Sequence, residues 1–153
     1  LAHVRIAAPP ANGPAAVAAT VITVLAKTAA VGCLAGAPGS WTLVAAPVAG
    51  RSLQAALLAI TPAASYAGSA GPFAGRFDRA AVLLGALGGI AAVALLMGAP
   101  GLLLALGLIA GAFALRALCK HFLGGISHPA LRGTAEAGEL ITLAAGVWGV
   151  GCP

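Results

Sequence analysis

Charge is what this chain has least of. It holds three carboxylates, Asp78, Glu136 and Glu139, against eight lysines and arginines, and charged residues make up only 7% of 153 positions. A water-soluble domain carries roughly a quarter, so too little charge is present to clothe a surface that faces water. Disorder is excluded as well, because 61% of the residues are apolar and disordered segments are marked by low hydrophobicity. The net charge of +5 is not arranged as a basic stripe with interleaved aromatics, which excludes a nucleic-acid footprint.

Cysteine is scarce too. Cys33, Cys119 and Cys152 form no C-x-x-C pair and no even framework, so they read as small residues packed among helices. His121 and His128 are seven apart, without the close spacing of a zinc pair, and read as interfacial or loop histidines. The opening LAHVRIAAPPANGP lacks a compact apolar core followed by a cleavage site. It also lacks an initiator methionine, so the chain is expected to be a fragment of a longer protein.

What is there is uncharged length. From Ala80 to Leu115 no charged residue occurs, about twice the roughly 20 residues that cross a bilayer as a helix. Gly98-Ala99-Pro100-Gly101 interrupts this run with a turn signal, and the same four letters recur at Gly36-Ala37-Pro38-Gly39. Backbone polar groups must be satisfied internally in lipid, which selects helices. The prediction is an all-α, polytopic integral membrane bundle of about five transmembrane helices. The expected spans are 14–36, 42–64, 80–98, 101–119 and one from about 134 to the end, in a single membrane domain over residues 1–153. Gly85-x-x-x-Gly89 and Gly107-x-x-x-Gly111 provide small-residue spacing for close helix contact.

Arg76 and Arg79 precede the third predicted span, while Arg116, Lys120 and Arg132 follow the fourth. An even number of crossings puts both groups on one side, which the positive-inside rule makes cytoplasmic. The N-terminus is then cytoplasmic, in a multi-pass protein of the cell (inner) membrane.

Two cations lie inside predicted spans. Lys27 and Arg51 are each about 20 Å from the cytoplasmic end, at 1.5 Å per residue, where a cation costs at least about 2.5–3.5 kcal/mol. Either they snorkel or they meet an anion. The first four spans contain no carboxylate, so that anion is expected from a ligand phosphate or from a segment outside the chain. The planar fork of arginine suits phosphate.

Glu136 and Glu139 are three apart and share a face if the last helix has begun there. One reading is that they complement the dipole in its first turn. The other is that paired hard oxygens help hold Mg²⁺ against substrate phosphates.

These pieces together resemble a known family. Leu123-Gly124-Gly125-Ile126-Ser127, followed by Leu131, Glu136 and Glu139, resembles the C-terminal signature of the cobalamin synthases, the adenosylcobinamide-GDP ribazoletransferases. Arg5-Ile6 resembles an Arg-Ile-Gly step of that family, and Ala26-Lys27 a lysine in its following apolar helix. Ala46-Pro47-Val48-Ala49-Gly50-Arg51 resembles its Ala-Pro-x-x-Gly-Arg element, and the ordered set covers nearly the whole chain. Where the family has Thr-Gly-Asp, this chain has Ser127-His128-Pro129, and the family's Asp-rich motif would fall before residue 1. The resemblance thus implies the C-terminal portion of a family member, or a decayed copy.

It also implies a reaction. α-Ribazole or its phosphate joins adenosylcobinamide-GDP, GMP leaves, and Mg²⁺ is the cofactor. The small-molecule substrates would meet Arg51, Lys27 and Arg5 through their phosphates, while Glu136 and Glu139 would support the metal. The alternative of another class is a small membrane transporter or a non-catalytic membrane subunit, with Pro47 breaking the second span beside Arg51.

Overall fold

A computed structural model describes residues 13–36, 41–62 and 78–151. These residues form four helices and no strand: α1 (Pro14–Leu34), α2 (Trp41–Ile60), α3 (Arg79–Leu123) and α4 (His128–Val150). Three of them, α1, α2 and α3, are long and apolar enough to cross a membrane. Their length and apolarity point to a helical membrane protein, and α3 is itself two helical halves joined across a kink. The kink falls where spans 80–98 and 101–119 were expected to part.

That element is not straight. Gly98 adopts φ 64° and ψ −137° inside it, a conformation open to glycine and closed to residues with a Cβ. Pro100 follows, removing a donor and fixing its own φ. A Cβ built on Gly101 would stand 2.8 Å from the carbonyl oxygens of Val93 and Ala94. Such proximity across seven or eight positions requires the chain to fold back on itself. Both halves of α3 therefore reach the same partner, and Ala86, Val93, Leu104, Leu108 and Ala112 share one core with Ala45, Ala49, Leu53 and Ala56 of α2.

α2 is the central helix, packed against α3 on one side and α4 on the other, while α1 lies chiefly against α4. Lipid supplies little apolar drive for helices to associate, so close van der Waals fit has to do it. The composition provides that fit at a few glycines. A Cβ on Gly50 of α2 would meet Ala135 O at 2.5 Å and Glu139 Cγ at 2.7 Å, and one on Gly138 of α4 would meet Gly50 Cα at 2.9 Å. The two backbones touch where these helices cross. Gly89 likewise accommodates Ser52, whereas Gly85, Gly107 and Gly111 face open space. The Gly107-x-x-x-Gly111 pair thus makes none of the close contacts expected of it among the described residues.

The ends are set locally. The Asp78 carboxylate caps α3 by accepting from the Ala80 N–H at 2.9 Å, and Gly124, at φ 66°, closes it. Cys119 is buried as a free thiol near that end. Cys33 is disulfide-bonded, so the packed-thiol reading does not extend to it. α4 starts at His128 with Pro129 in its first turn, six residues before the expected start near Thr134.

Candidate functional site

The early start of α4 changes the setting of both glutamates. Glu136 is eight residues past His128 and Glu139 eleven, about 12 and 16 Å along the axis. Neither occupies the first turn, so the dipole reading has no purchase here. Both carboxylates reach Lys27, which lies thirteen residues into α1, about 20 Å along its axis. The Lys27 ammonium bonds Glu136 Oε2 and, at 2.5 Å, Glu139 Oε2.

The anion that the sequence left unassigned for Lys27 therefore comes from the last helix of the same chain. The lysine side chain is one-quarter exposed, Glu139 19% and Glu136 52%, so the cluster opens on the Glu136 side. One ammonium faces two carboxylates, leaving a surplus negative charge. The Oε1 atoms of both glutamates have no hydrogen-bond partner among the described residues.

These two free oxygens and the surplus charge decide what the cluster can hold. Mg²⁺ keeps most of its waters and is often bound through one or two carboxylates together with substrate phosphates. The donor set fits that mode. It does not form a closed protein cage: no group of three or more His, Cys, Asp or Glu side chains gathers among the described residues.

Arg51 is elsewhere on the bundle. It follows Gly50 at the α2–α4 crossing but faces away from that contact, exposed, with Nη1 donating to Gln54 Oε1 at 3.2 Å. Only nine residues separate it from the end of α2 at Ile60, about 14 Å of helix, shallower than the expected 20 Å. It lines an open groove of 470 Å³ between α2 and α3, together with Pro47, Val48, Ser52, Ala55 and Gly85. Pro47 sits within α2 and, lacking an N–H, leaves the Leu43 carbonyl without its usual helical donor. The groove is apolar apart from Arg51 and Ser52, and the Ser52 hydroxyl is committed to Val48 O at 2.7 Å. Its one available charge is the guanidinium.

The predicted residues thus divide. Lys27, Glu136 and Glu139 come together between α1 and α4, Arg51 stands over a separate groove between α2 and α3, and Arg5 lies outside the described residues. Sequence reasoning missed Gln54 as the partner of Arg51, although three residues apart on a helix is neighbouring distance. It also missed Gly50 and Gly138, whose signal was their adjacency to Arg51 and to Glu139.

With the geometry in view, comparison with known proteins adds one result. The sequence matches the family model of cobalamin-5-phosphate synthase over residues 3–147. No curated protein and no solved structure matches it.

Proposed function

Because the chain belongs to the cobalamin-5-phosphate synthase family, we propose that it is a membrane-embedded transferase of cobalamin synthesis. Its reaction joins α-ribazole, or its phosphate, to adenosylcobinamide-GDP with release of GMP. The observation that carries this reading is the extent of the family match, which leaves only the two ends of the chain uncovered.

The site supports the same chemistry from below. Phosphoryl transfer asks a protein mainly for positioning and for charge on the phosphates. Arg51 offers a guanidinium over an open groove, suited to a phosphate by its planar fork. Lys27 spans Glu136 and Glu139, so its role is to position two acids rather than to meet substrate directly. Mg²⁺, when bound, neutralises phosphate charge, and Glu136 and Glu139 are the residues that would contribute to holding it. Arg5 is the remaining cation proposed for substrate phosphate. The ends carrying Arg79, Arg116, Lys120 and Arg132 face the cytoplasm in this reading, as does the N-terminus, and the membrane is the inner one.

The test is retention and conversion of substrate by the chain in lipid nanodiscs. Adenosylcobinamide-GDP is followed by its corrin absorbance, with α-ribazole and Mg²⁺ added. Retention of the corrinoid that needs Arg51, with GMP appearing alongside the joined product, supports the reading. A chain that retains no corrinoid overturns it.

A further inference from the structure

The chain has three cysteines, and neither the ion cluster nor the Arg51 groove uses them. Cys33 is disulfide-bonded, while Cys119 is a buried free thiol. Packing also keeps these two apart. Leu34, next to Cys33, packs with Ala46 of α2, whereas Cys119 packs with Leu57 of the same helix. Ala46 and Leu57 are about 16 Å apart along the axis, far more than the roughly 7 Å between Cα atoms that a disulfide can bridge. Of the chain's cysteines that leaves Cys152, which follows Gly151 and lies outside the described residues.

The described residues beside both cysteines bring their helix ends together. Leu34 shares one buried cluster with Leu143 of α4, and Val147 and Val150 pack against it. Gly146 lies so close to the Thr42 side chain that no Cβ would fit between them. The end of α1, the start of α2 and the end of α4 therefore meet. Cys33 immediately precedes Leu34 there, and Cys152 is two residues past Val150.

This end of the bundle differs from the other in charge. No charged residue occurs from 28 to 50 or from 140 to 153. Trp41 and Trp148 stand exposed at this end, and tryptophan favours the headgroup level of a bilayer. Arg116 and Lys120 flank the Cys119 thiol, and Arg132 lies in the early turns of α4; all three are exposed. Cations mark the cytoplasmic side of a membrane, where thiols stay reduced, whereas disulfides persist on an oxidising side. Thiol state and charge thus assign the same two sides.

We propose that Cys33 and Cys152 form a disulfide latch that fastens α1 to α4 at the uncharged, non-cytoplasmic end of the bundle. The latch closes by exchange with a disulfide carrier of that compartment. Two thiols lose two protons and two electrons as the S–S bond forms, and the carrier's disulfide is reduced to a dithiol. A dithiol reductant reverses the step. α1 needs such a tie, because Val17, Val21, Ile22 and Leu25 are exposed rather than packed on a neighbouring helix. The bond also closes a loop of most of the chain, and longer loops constrain the unfolded state more. The inference goes beyond the proposed transferase function and does not depend on it.

Membranes carrying the chain are prepared under N-ethylmaleimide, digested with and without reduction, and mapped by mass spectrometry. A peptide linking Cys33 to Cys152 is expected, with Cys119 alkylated. In right-side-out vesicles a membrane-impermeant phosphine should open the bond and let an impermeant maleimide label both cysteines, while inside-out vesicles label neither. In nanodiscs, reduction should lower Tm by at least about 4 °C. Cys33→Ser should start at the lower value and respond no further to reductant. Cys33 and Cys152 both alkylated without reduction, or Cys33 linked to a second copy of the chain, overturns the proposal. So does a bond that opens only in inside-out vesicles, or a Tm that reduction leaves unchanged.

Discussion

Lys27 Nζ lies 2.5 Å from Glu139 Oε2 although 112 positions separate the two residues. With Glu136 on the same ammonium, this is a polar tie between α1 and α4. Most of the described apolar side chains of α1, Val17, Ile22 and Leu25 among them, are exposed to the surroundings, and among the described residues of the helix Leu34 alone is fully buried. Removing one partner of an ion pair leaves the other charge uncompensated, at a cost that grows with burial.

Lys27→Met is accordingly expected to destabilise the bundle by about 1–3 kcal/mol, between the values for exposed and fully buried pairs. Two carboxylates would then face each other with no counter-charge. Adding Glu136→Gln and Glu139→Gln to Lys27→Met removes that repulsion and should recover most of the loss. Thermal unfolding in nanodiscs measures both variants. A single variant as stable as the parent, or a triple variant no better than the single, would show that the ion cluster contributes nothing to holding α1.

The α2–α4 crossing gives a sharper contrast. Gly50→Ala drives a methyl to within 2.5 Å of Ala135 O, and the obstacle is backbone, which cannot swing aside. Overpacking of this kind costs about 1–3 kcal/mol, and Gly138→Ala meets Gly50 in the same way. Gly149→Ala meets nothing within 4 Å and should be neutral or stabilising by up to about 1 kcal/mol, since alanine is the better helix former. The Tm values of the three variants decide it: equal effects at 50 and 149 would remove the close crossing as an explanation.

The comparison of glycines also shows how far the sequence could be read. Membrane helices were legible because uncharged length and internal backbone satisfaction leave no other choice, and the bounds of α1 and α2 fell within a few residues. The break inside 80–119 was legible too, since glycine and proline together mark a sharp turn, and Gly98 leaves helical geometry there. Gly107 and Gly111 had the favoured spacing and face open space, whereas Gly50 and Gly138 had no spacing signal and form the contact. Spacing describes one helix, while a crossing is a property of two. For the same reason Lys27, Glu136 and Glu139 were each singled out early, yet their pairing could not be. The start of α4 at His128 turned the two glutamates from first-turn acids into interior ones.

Gly98 tests the reversal inside α3. Its φ of 64° with ψ of −137° lies where a Cβ collides with the flanking peptide, at a cost of about 1–3 kcal/mol. Gly98→Ala should therefore strain the turn, while Ala99→Gly, next to it, should not. Cysteines introduced at Ala86 and Ala112, both in the core that the two halves share, report on whether the halves still fold back together. Disulfide trapping that survives in the parent background and falls in the Gly98→Ala background is the expected result. Equal trapping in both would mean that the reversal does not depend on this glycine.

Arg51 separates binding from scaffolding. Its side chain is exposed and its one hydrogen bond, to Gln54 at 3.2 Å, is long, so Arg51→Ala should change Tm little. If the guanidinium meets a substrate phosphate in the groove, the same variant should lose at least tenfold in affinity for adenosylcobinamide-GDP, about 1.4 kcal/mol or more. Arg51→Lys keeps the charge but not the planar fork, so it should recover only part of that loss. Gln54→Leu frees the guanidinium while leaving its charge, and should shift affinity by no more than a few fold. Nanodisc binding by corrin absorbance measures all three against the parent. An Arg51→Ala variant that binds as well as the parent would remove phosphate recognition from this groove, and a Tm loss matching the affinity loss would assign Arg51 to the scaffold instead.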